Sequence, residues 1–299
     1  MREKRPATRV KNVAHYIQGK NVFDLDLPRL NLPDPGGCVG FQMALYDAMG
    51  KALGWPVYRL LGGLEQQKVL VNYWCGRKNP VDARRVAERA VAGKFKGVKI
   101  KGHPGDPVVK VVEAIASVSP ALQVTVDFND QIANAKEFLH IGKGLDAVGN
   151  MLVIEDPIPK EDLAGYQELR RHLKTPLAHH QNDPRKMMAA IRAEACTIFN
   201  TGPNPSMAIF QANAYLAEAA GMPVWHGSGH ELGVMDAAMA HSCAATKNCK
   251  FPSDLLSYQR VDDLVTNPFE REDSYVTVPD RPGLGMDLDE DAVQRYQVR

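Results

Sequence analysis

The chain has 299 residues, of which 44% are hydrophobic and 24% are charged, and its formal net charge at pH 7 is +1. This composition excludes a disordered chain, and the balanced charge gives no electrostatic reason to expect nucleic acid or a membrane surface as a partner. No apolar run approaches the roughly 18 residues of a membrane span. The start, MREKRPATRVK, has no apolar signal core, and the five cysteines form no C-x-x-C pair, so we expect a cytoplasmic protein with reduced thiols.

The first predicted element is a helix over residues 40–53, followed by a short turn near residues 60–63. Beyond it, short runs rich in Val, Ile and Leu alternate with helix patterns. The predicted strands begin at Val69, Gly97, Gln123, Leu152, Pro176, Cys196 and Pro223, and the predicted helices cover residues 82–95, 106–118, 160–173, 184–193 and 206–220. This alternation predicts parallel strands joined by right-handed crossovers.

The number of strand–helix units favours a closed barrel over an open sheet. There are seven units, or eight if residues 250–253 form a further strand. We therefore expect an α/β fold of the TIM type, with residues 67–270 as the barrel. Residues 1–66 and 271–299 are expected to form a small accessory layer from both ends of the chain.

Nearly every predicted strand ends in an ionisable or metal-capable side chain, and in a barrel all of these ends meet at one mouth. In chain order these residues are Lys99, Lys101, Asp127, Asn129, Glu155, Asp156, His179, His180, Gln181, Asn182, Asn200 and His226. The sequence therefore predicts a functional site at the carboxyl ends of the strands.

Two residue pairs at these strand ends carry chemistry. Asp127 and Glu155 end consecutive strands, and two such carboxylates suit a hard divalent cation such as Mg²⁺, unless Glu155 instead caps the next helix. Lys99 and Lys101 are two residues apart, so both point to the same face of their strand. Two close ammonium groups lower each other's pKa, which lets a lysine accept a carbon-bound proton near neutral pH, although solvated surface lysines would give the same pattern.

Five segments resemble the enolase superfamily, in its mandelate racemase and muconate lactonizing enzyme group. They are GFQMALYDAMGKALGWPVYRLLGG, GVKIKG, VTVDFND, LVIEDPIP and PGLGMDLDEDAVQRY, and the resemblance spans residues 36–296. It implies a modified TIM-type barrel with a capping domain, partial in this chain, and removal of a proton α to a carboxylate through an enediolate. On this resemblance Asp127 and Glu155 hold Mg²⁺. Lys101 is the base and Lys99 is its electrostatic partner.

The chain departs from the family pattern on its fifth and sixth barrel strands. On the fifth strand the family usually has a third carboxylate, whereas PLAHHQND places His180 or Gln181 there. A histidine ligand would favour Mn²⁺, Fe²⁺ or Zn²⁺ over Mg²⁺. Alternatively, His179 and His180 only line the mouth. Where an Asp or Lys is usual, CTIFNTG offers Asn200, which can orient an imidazole. The candidate imidazole is His226 on the seventh strand, as a second acid or base.

Further residues near the mouth are predicted to bind the substrate. They are Asn129, His179, His230 and Asp254. Members of the family usually begin with a three-stranded sheet that caps the barrel, whereas this sequence starts in the helical part of the cap, through truncation or a minimal cap. A mouth without its lid exposes apolar surface that a partner subunit covers, so we expect a homo-oligomer.

The leading functional prediction is a metal-dependent enzyme that enolises a small carboxylate substrate and then expels a β-hydroxyl, as in acid-sugar dehydration. Lys101 or His226 would be the base, and the other would be the acid. One alternative is a racemase, epimerase or cycloisomerase of the same superfamily. The other is a degenerate barrel that binds a metabolite or a partner without turnover, since the third carboxylate is missing.

Overall fold

The structure is a computed structural model that describes residues 15–27, 35–202, 206–267 and 269–297, with the backbone alone described at residues 35–38. The helices in chain order are α1 (Pro35–Leu53), α2 (Val57–Leu60), α3 (Pro80–Ala92), α4 (Val108–Val118), α5 (Ala135–Val148), α6 (Leu163–His172), α7 (Pro184–Arg192), α8 (Met207–Ala219), α9 (Gly233–Ala244) and α10 (Glu290–Tyr296). The strands are β1 (Lys68–Leu70), β2 (Tyr73–Trp74), β3 (Gly97–Lys101), β4 (Gln123–Asp127), β5 (Met151–Glu155), β6 (Leu177–His180), β7 (Ile198–Asn200), β8 (Val224–Trp225), β9 (Arg271–Glu272) and β10 (Tyr275–Thr277).

Strands β2 to β8 form a curled parallel sheet in which each strand pairs with the next along the chain. The register sets Lys101 beside Asp127 and Asp127 beside Glu155, at the carboxyl ends of three neighbouring strands. Further along the sheet, His180 pairs with Asn200. A buried apolar cluster on the same strand faces comprises Val153, Ala178, Ile198 and Trp225. Because side chains alternate along a strand, the polar residues two positions later share the face of this cluster.

The first predicted barrel strand divides in two in the structure. β1 pairs antiparallel with β10, with Val69 beside Val276, and β10 pairs with β9 in a small three-stranded sheet. The separate two-residue strand β2 is the first strand of the parallel sheet. The prediction of one barrel strand beginning at Val69 is therefore wrong, because the chain changes its pairing partner between Leu70 and Tyr73.

The segment predicted as an eighth strand forms isolated bridges instead of a strand. Val224 bridges to Cys249, and Val71 bridges to Ser253. The backbone N–H of Ser253 donates to Leu70 O at 2.8 Å, and that of Val224 donates to Asn248 O at 2.9 Å. Residues 248–254 thus hydrogen bond to β8 at one edge of the curled sheet and to Leu70, just before β2, at the other side, and they carry Asp254 to the mouth of the sheet.

Side-chain caps set where the helices begin. The helix predicted from Asp82 begins at Pro80, because Asn79 Oδ1 accepts a hydrogen bond from Asp82 N at 2.9 Å. The helices α5 and α9 were not predicted. The start of α5 follows the same rule as α3, since Asn134 Oδ1 accepts from Glu137 N at 3.0 Å. None of the described helices is both long enough and apolar enough to cross a membrane.

Parts of the chain that are far apart in sequence pack together around α1. Helix α1 approaches Gly283 so closely that a Cβ on Gly50 would lie 2.7 Å from Gly283 Cα. Leu284 N donates to Asp47 Oδ1 at 2.8 Å, across 237 residues of chain, and Val57 N donates to Gly283 O at 3.0 Å. The predicted accessory layer of the two ends is consistent with these contacts.

His241 on α9 ties this layer to the barrel helices. Its ring is fully buried, Nδ1 accepts from Tyr58 N at 3.2 Å, and Nε2 donates to Leu284 O at 3.2 Å. Both ring nitrogens are therefore used by the neutral imidazole, and protonation would remove the acceptor at Nδ1. Burial lowers the pKa of His241 to about 4.

We expect this histidine to make the protein acid-labile. The unfolded chain binds a proton at His241 near pH 6.5, whereas the folded protein binds it only near pH 4, so this contribution to stability is lost as the pH falls between those values. For one such group the loss between pH 7 and pH 5 is about 2 kcal/mol. Urea denaturation of the wild type and of His241→Gln at both pH values checks this. Between pH 7 and pH 5 the unfolding free energy of His241→Gln should fall by about 2 kcal/mol less than that of the wild type. Equal pH dependence of the two proteins would contradict this role of His241.

Candidate active site

A cavity of about 300 Å³ opens at the carboxyl ends of the parallel strands. It is lined by Trp74, Lys99, Lys101, Asp127, Asn129, Glu155, His180, Asn200, Ser228, His230 and Asp254. All of these residues except Trp74 and Ser228 were predicted as site residues from the sequence. The convergence of strand ends on one mouth is thus what the structure shows, and the cavity holds two lysines among three carboxylates.

Lys99 lies in the wall of this cavity as a buried cation. It is 3% exposed, and its Nζ lies 2.7 Å from Asp254 Oδ2 and 2.9 Å from Glu155 Oε2. Burial alone would lower the pKa of Lys99, but attraction to the two carboxylates outweighs it and raises the pKa above its ordinary value. Lys99 therefore keeps its charge throughout the physiological pH range. The expectation that two close lysines lower each other's pKa does not apply to Lys99, because the carboxylates outnumber them.

Lys101 is the more accessible of the two lysines. Its side chain is 27% exposed, and its Nζ forms an ion pair with Asp127 Oδ2. The other oxygen of Asp127 accepts a hydrogen bond from Asn129 N at 2.8 Å. Burial, together with repulsion from Glu155, raises the pKa of Asp127 above its ordinary value. Asn129 stands at φ 48°, a left-handed conformation that turns its N–H back onto the carboxylate.

Glu155 is oriented by an amide from two strands away. Asn200 Nδ2 donates to Glu155 Oε1 at 2.6 Å, and Asn200 Oδ1 accepts from Gly227 N at 2.9 Å. Burial would raise the pKa of Glu155, but the charge of Lys99, the nearby His180 and the hydrogen bond from Asn200 together outweigh it and lower the pKa to about 2. The sequence predicted that Asn200 orients an imidazole, whereas the structure uses it to hold this carboxylate.

His180 faces the cavity from the end of β6. Ligand atoms of Glu155, Asp156 and His180 lie within 4.8 Å of one another, the separation expected of groups that could share a metal ion. Asp127 is outside this group and pairs with Lys101. The metal-capable cluster therefore contains Asp156, which the sequence analysis placed among the polar strand ends without assigning it a role. Burial lowers the pKa of His180 to about 4, so its imidazole is neutral at pH 7.

Asp156 is fully buried and ties three strand ends together. Its Oδ1 accepts from His180 N at 2.8 Å, and its Oδ2 lies 3.1 Å from Lys160 Nζ. Lys160 also lies 2.9 Å from Asp130 Oδ2, and Asp130 N donates to Asp156 O at 3.0 Å. Burial raises the pKa of Asp156 well above its ordinary value, since Lys160 only partly offsets it. The tie links the loop after β4 and the loop after β5 to the end of β6.

Three residues predicted for the site lie outside the cavity lining. The His226 ring packs on Phe210 with centroids 4.7 Å apart, and the His179 ring packs on Tyr166 with centroids 5.1 Å apart. Both rings stand on the outer strand face, against helices, which removes them from the substrate. Gln181 Oε1 accepts from two backbone N–H groups of its own loop at 3.1 Å. These positions do not support the predicted roles of His226 as acid or base, His179 in substrate binding and Gln181 as a metal ligand.

The loop after β8 supplies the two remaining lining residues, Ser228 and His230. Glu231 shapes it, because Ser228 Oγ donates to its Oε2 at 2.6 Å and Gly229 N donates to its Oε1 at 2.7 Å. His230 is exposed, and its ring lies edge-on to Trp74 with centroids 4.2 Å apart. Ser228 stands beyond the two-residue strand β8, so no alternation of side chains in the sequence pointed to it.

Removing Lys160 should destabilise the protein more than removing a neighbouring surface lysine. Its side chain is 24% exposed and it compensates Asp156, so we expect Lys160→Met to lose about 2 kcal/mol, less than the 3–5 of a fully buried pair. The matched control is Lys186→Met, since Lys186 is 58% exposed and 3.4 Å from Glu161, and about 0.5 kcal/mol or less is expected for such an exposed pair. Urea denaturation at pH 7.5 measures both, and equal losses would contradict the role given to Lys160.

Comparison with known proteins gives concordant findings. A family model described as Enolase C-terminal domain-like matches residues 82–292. An N-succinylamino acid racemase of Thermus thermophilus is 31% identical over 270 residues, covering 86% of this chain and 70% of that protein. An o-succinylbenzoate synthase of Geobacillus kaustophilus is 30% identical over 267 residues, covering 85% and 68%. A muconate cycloisomerase of Acinetobacter lwoffii is 27% identical, covering 85% and 69%.

Solved structures show the same fold. A muconate cycloisomerase from Pseudomonas fluorescens superposes with a TM-score of 0.88 at 22% identity, covering 98% of this chain and 86% of that one. An isomerase from Streptomyces coelicolor superposes with a TM-score of 0.75 at 26% identity, covering 85% and 73%.

Proposed function

The chain belongs to the Enolase C-terminal domain-like family, in the mandelate racemase and muconate lactonizing enzyme group of the enolase superfamily, and from that membership we propose that it removes the proton α to the carboxylate of a small substrate. As a member of this superfamily it is an enzyme of the lyase or isomerase type. Its relatives are named as a racemase, a synthase and a cycloisomerase. These names favour the alternative of an isomerase over the leading prediction of acid-sugar dehydration, which none of them supports specifically.

The observation that carries this proposal is the contrast between the two lysines on β3. Lys99 is buried between Asp254 and Glu155, whereas Lys101 is partly exposed, lines the cavity and pairs with Asp127. A general base must reach the substrate and exchange a proton with it, which Lys101 can do and Lys99 cannot. Once the ion pair with Asp127 is broken and the ammonium group has lost a proton, the neutral Lys101 Nζ takes the α-proton, and the ammonium group so formed returns it. The fixed charge of Lys99 stabilises the negative charge that develops on the substrate.

The cavity also fits a divalent ion, for which Mg²⁺ is typical of the superfamily. Glu155 and His180 would hold it, with a carboxylate of Asp127 or Asp156. Glu155 Oε2 is buried and pairs with Lys99, but it accepts no hydrogen bond from any described residue, which leaves a lone pair for a ligand. When bound, the ion supplies positive charge that polarises the substrate carboxylate and makes the α-proton more acidic.

The described lining residues favour proton transfer on one face of the substrate. Racemisation through two bases needs a second proton-transfer group on the opposite side of the cavity from Lys101. The end of β7 carries Asn200, whose side-chain amide donates a hydrogen bond to Glu155 and does not transfer protons. Apart from the carboxylates and the two lysines, His230 is the described lining residue that could transfer a proton, and it is exposed on the loop after β8. We therefore favour an isomerase in which Lys101 alone transfers the proton at the α-carbon, as in a cycloisomerisation. A carboxylate oxygen of the substrate bonds to the β-carbon when the α-carbon gains the proton, and that bond breaks when the proton is removed.

The domain division remains part of the proposal. We propose a barrel domain over residues 67–270 and a cap built from residues 1–66 and 271–299. Contacts of α1 with Gly283 and Leu284 support the cap, and the pairing of β1 with β10 supports including β1 in it. A small carboxylate is the substrate in this proposal, and the predicted homo-oligomer stays a prediction that sedimentation can check.

Exchange of the α-proton in D₂O tests the proposed function. The purified protein, loaded with a divalent metal, is incubated with a panel of N-acyl amino acids, dipeptides and unsaturated dicarboxylates, and deuterium at Cα is followed by NMR. Deuterium incorporation or isomerisation without loss of water supports an isomerase. Loss of a β-hydroxyl would restore dehydration as the reaction, and no exchange with any member of the panel would favour the non-catalytic barrel.

A further inference from the structure

The chemistry of the metal-capable cluster differs from that of an all-oxygen magnesium site. Glu155, Asp156 and His180 bring two carboxylates and one imidazole within 4.8 Å of one another. Ligands of one divalent ion each lie about 2.0–2.3 Å from it, so the atoms of a shared ion stand at most about 4.6 Å apart. The cluster is therefore close to the size that one ion requires before any ion is bound.

The other carboxylates of the cavity are committed to lysines. Asp127 pairs with Lys101, and Asp254 accepts from Lys99 at 2.7 Å. Recruiting Asp127 would remove the partner of Lys101, and recruiting Asp254 would leave Lys99 paired only with Glu155. The imidazole of His180 forms no ion pair with a lysine. It can therefore act as a ligand for an ion at Glu155 without breaking an existing ion pair.

Electrostatic attraction for a hard cation is also weak at this cluster. The negative charges of Glu155 and Asp156 are matched by Lys99, 2.9 Å from Glu155, and by Lys160, 3.1 Å from Asp156. Mg²⁺ is held mainly by net negative charge and oxygen ligands, and it gives up its hydration water reluctantly. Mn²⁺, Co²⁺ and Zn²⁺ gain more from an imidazole nitrogen, in the order of transition-metal affinities.

The backbone of His180 is held in place by a residue of the same cluster. Asp156 Oδ1 accepts a hydrogen bond from His180 N at 2.8 Å, which ties the end of β6 to the loop after β5. A fixed backbone limits the positions that the His180 ring can take at the mouth of the cavity.

From these observations we propose that the site binds a transition-metal ion of the Mn²⁺ to Zn²⁺ class in preference to Mg²⁺, with the imidazole of His180 as a ligand beside Glu155. This proposal rests on the proposed function because it uses the same cavity. It addresses which ion the cavity binds, and the proposed function addresses the reaction.

Metal titration of the metal-free protein tests the preference. Affinities for Mg²⁺, Mn²⁺ and Zn²⁺ are measured separately by calorimetry on the wild type and on His180→Asp. The wild type should bind Mn²⁺ at least about tenfold more tightly than Mg²⁺, and the variant should reduce that ratio by about tenfold or more, since it replaces the nitrogen donor by oxygen. Equal affinity of the wild type for Mg²⁺ and Mn²⁺, or an unchanged ratio in the variant, would overturn the proposal.

A spectroscopic readout identifies the ligand directly. In the Mn²⁺-loaded protein, pulsed electron paramagnetic resonance should show coupling of the ion to a directly bound ¹⁴N nucleus. The coupling should be lost in His180→Asp and retained in His230→Gln, the matched control in which another imidazole of the same cavity is removed. Circular dichroism confirms that each variant is folded, and His180→Gln replaces the Asp variant if that one is not. A coupling that survives both His180 variants would overturn the proposal.

These readouts do not depend on turnover. Metal preference as proposed, without α-proton exchange in the D₂O assay, would contradict the proposed function alone. Exchange supported equally by Mg²⁺, with no nitrogen coupling, would contradict the metal preference alone.

Discussion

Replacing Lys101 by methionine should slow α-proton exchange by about 10³-fold, within the range that a positioned general base contributes. Methionine keeps most of the apolar stem of lysine while removing the nitrogen that would accept the proton. Lys101 is the partly exposed lysine of the cavity, and no other described lysine lines the cavity except the buried Lys99. Loss of exchange with unchanged substrate binding would therefore place Lys101 at the reacting carbon.

The measurement compares deuterium incorporation rates in the wild type, Lys101→Met and Lys110→Met. Lys110 is an exposed residue of α4, so its variant controls for the loss of a surface charge and should exchange at the wild-type rate. Because the substitution frees Asp127, folding and metal content are checked alongside. Exchange at a rate within about threefold of wild type in a folded, metal-loaded Lys101→Met would reject Lys101 as the base.

Replacing Lys99 by methionine should cost about 3–5 kcal/mol of stability, the loss typical when one partner of a buried ion pair is removed. Lys99 is 3% exposed and compensates both Glu155 and Asp254, which are 1% and 3% exposed. Without it, two buried carboxylates face each other with no cation between them. Burial raises the pKa of Asp254, so this carboxyl would take up a proton most readily and relieve part of the repulsion.

Urea denaturation at pH 7.5 measures the loss, with Asp254→Asn and the double variant Lys99→Met/Asp254→Asn completing a mutant cycle. The double variant should be more stable than Lys99→Met, because it removes one uncompensated charge. The difference in stability between Lys99→Met and the wild type should also shrink as the pH is lowered, because Asp254 takes up a proton in the variant. A loss below about 1 kcal/mol, the value of an exposed pair, would mean that Lys99 is solvated in solution.

The part of the site that was predicted from sequence lies on the longer strands. β3, β4 and β5 have five residues each, so their alternation shows that Lys99, Lys101, Asp127 and Glu155 share one face. On β8, which has two residues, there is no alternation to follow, and His226 was placed on the wrong face while Ser228 was overlooked. Adjacent histidines on β6 posed the same problem, since one of His179 and His180 must point outwards.

Contacts between distant strands could also not be predicted from the sequence. Nothing local indicates that Asn200 holds Glu155, or that Asp254 meets Lys99 across the curled sheet. The division of residues 68–74 between two sheets depends on β10, which lies some two hundred positions later, and no local propensity encodes that choice. The alternation of strands and helices in the sequence therefore predicted the architecture. Which distant residues and strands contact each other could be seen only in the folded structure.

The long-range contacts around α1 also bear on how the protein is made. Asp47 receives its hydrogen bond from Leu284, and β1 pairs with β10, so these early segments leave the ribosome well before their partners are synthesised. Until then β1 is an unpaired strand edge, the kind of surface on which nascent chains associate with one another. The accessory layer can therefore be completed only after residue 284 has been synthesised.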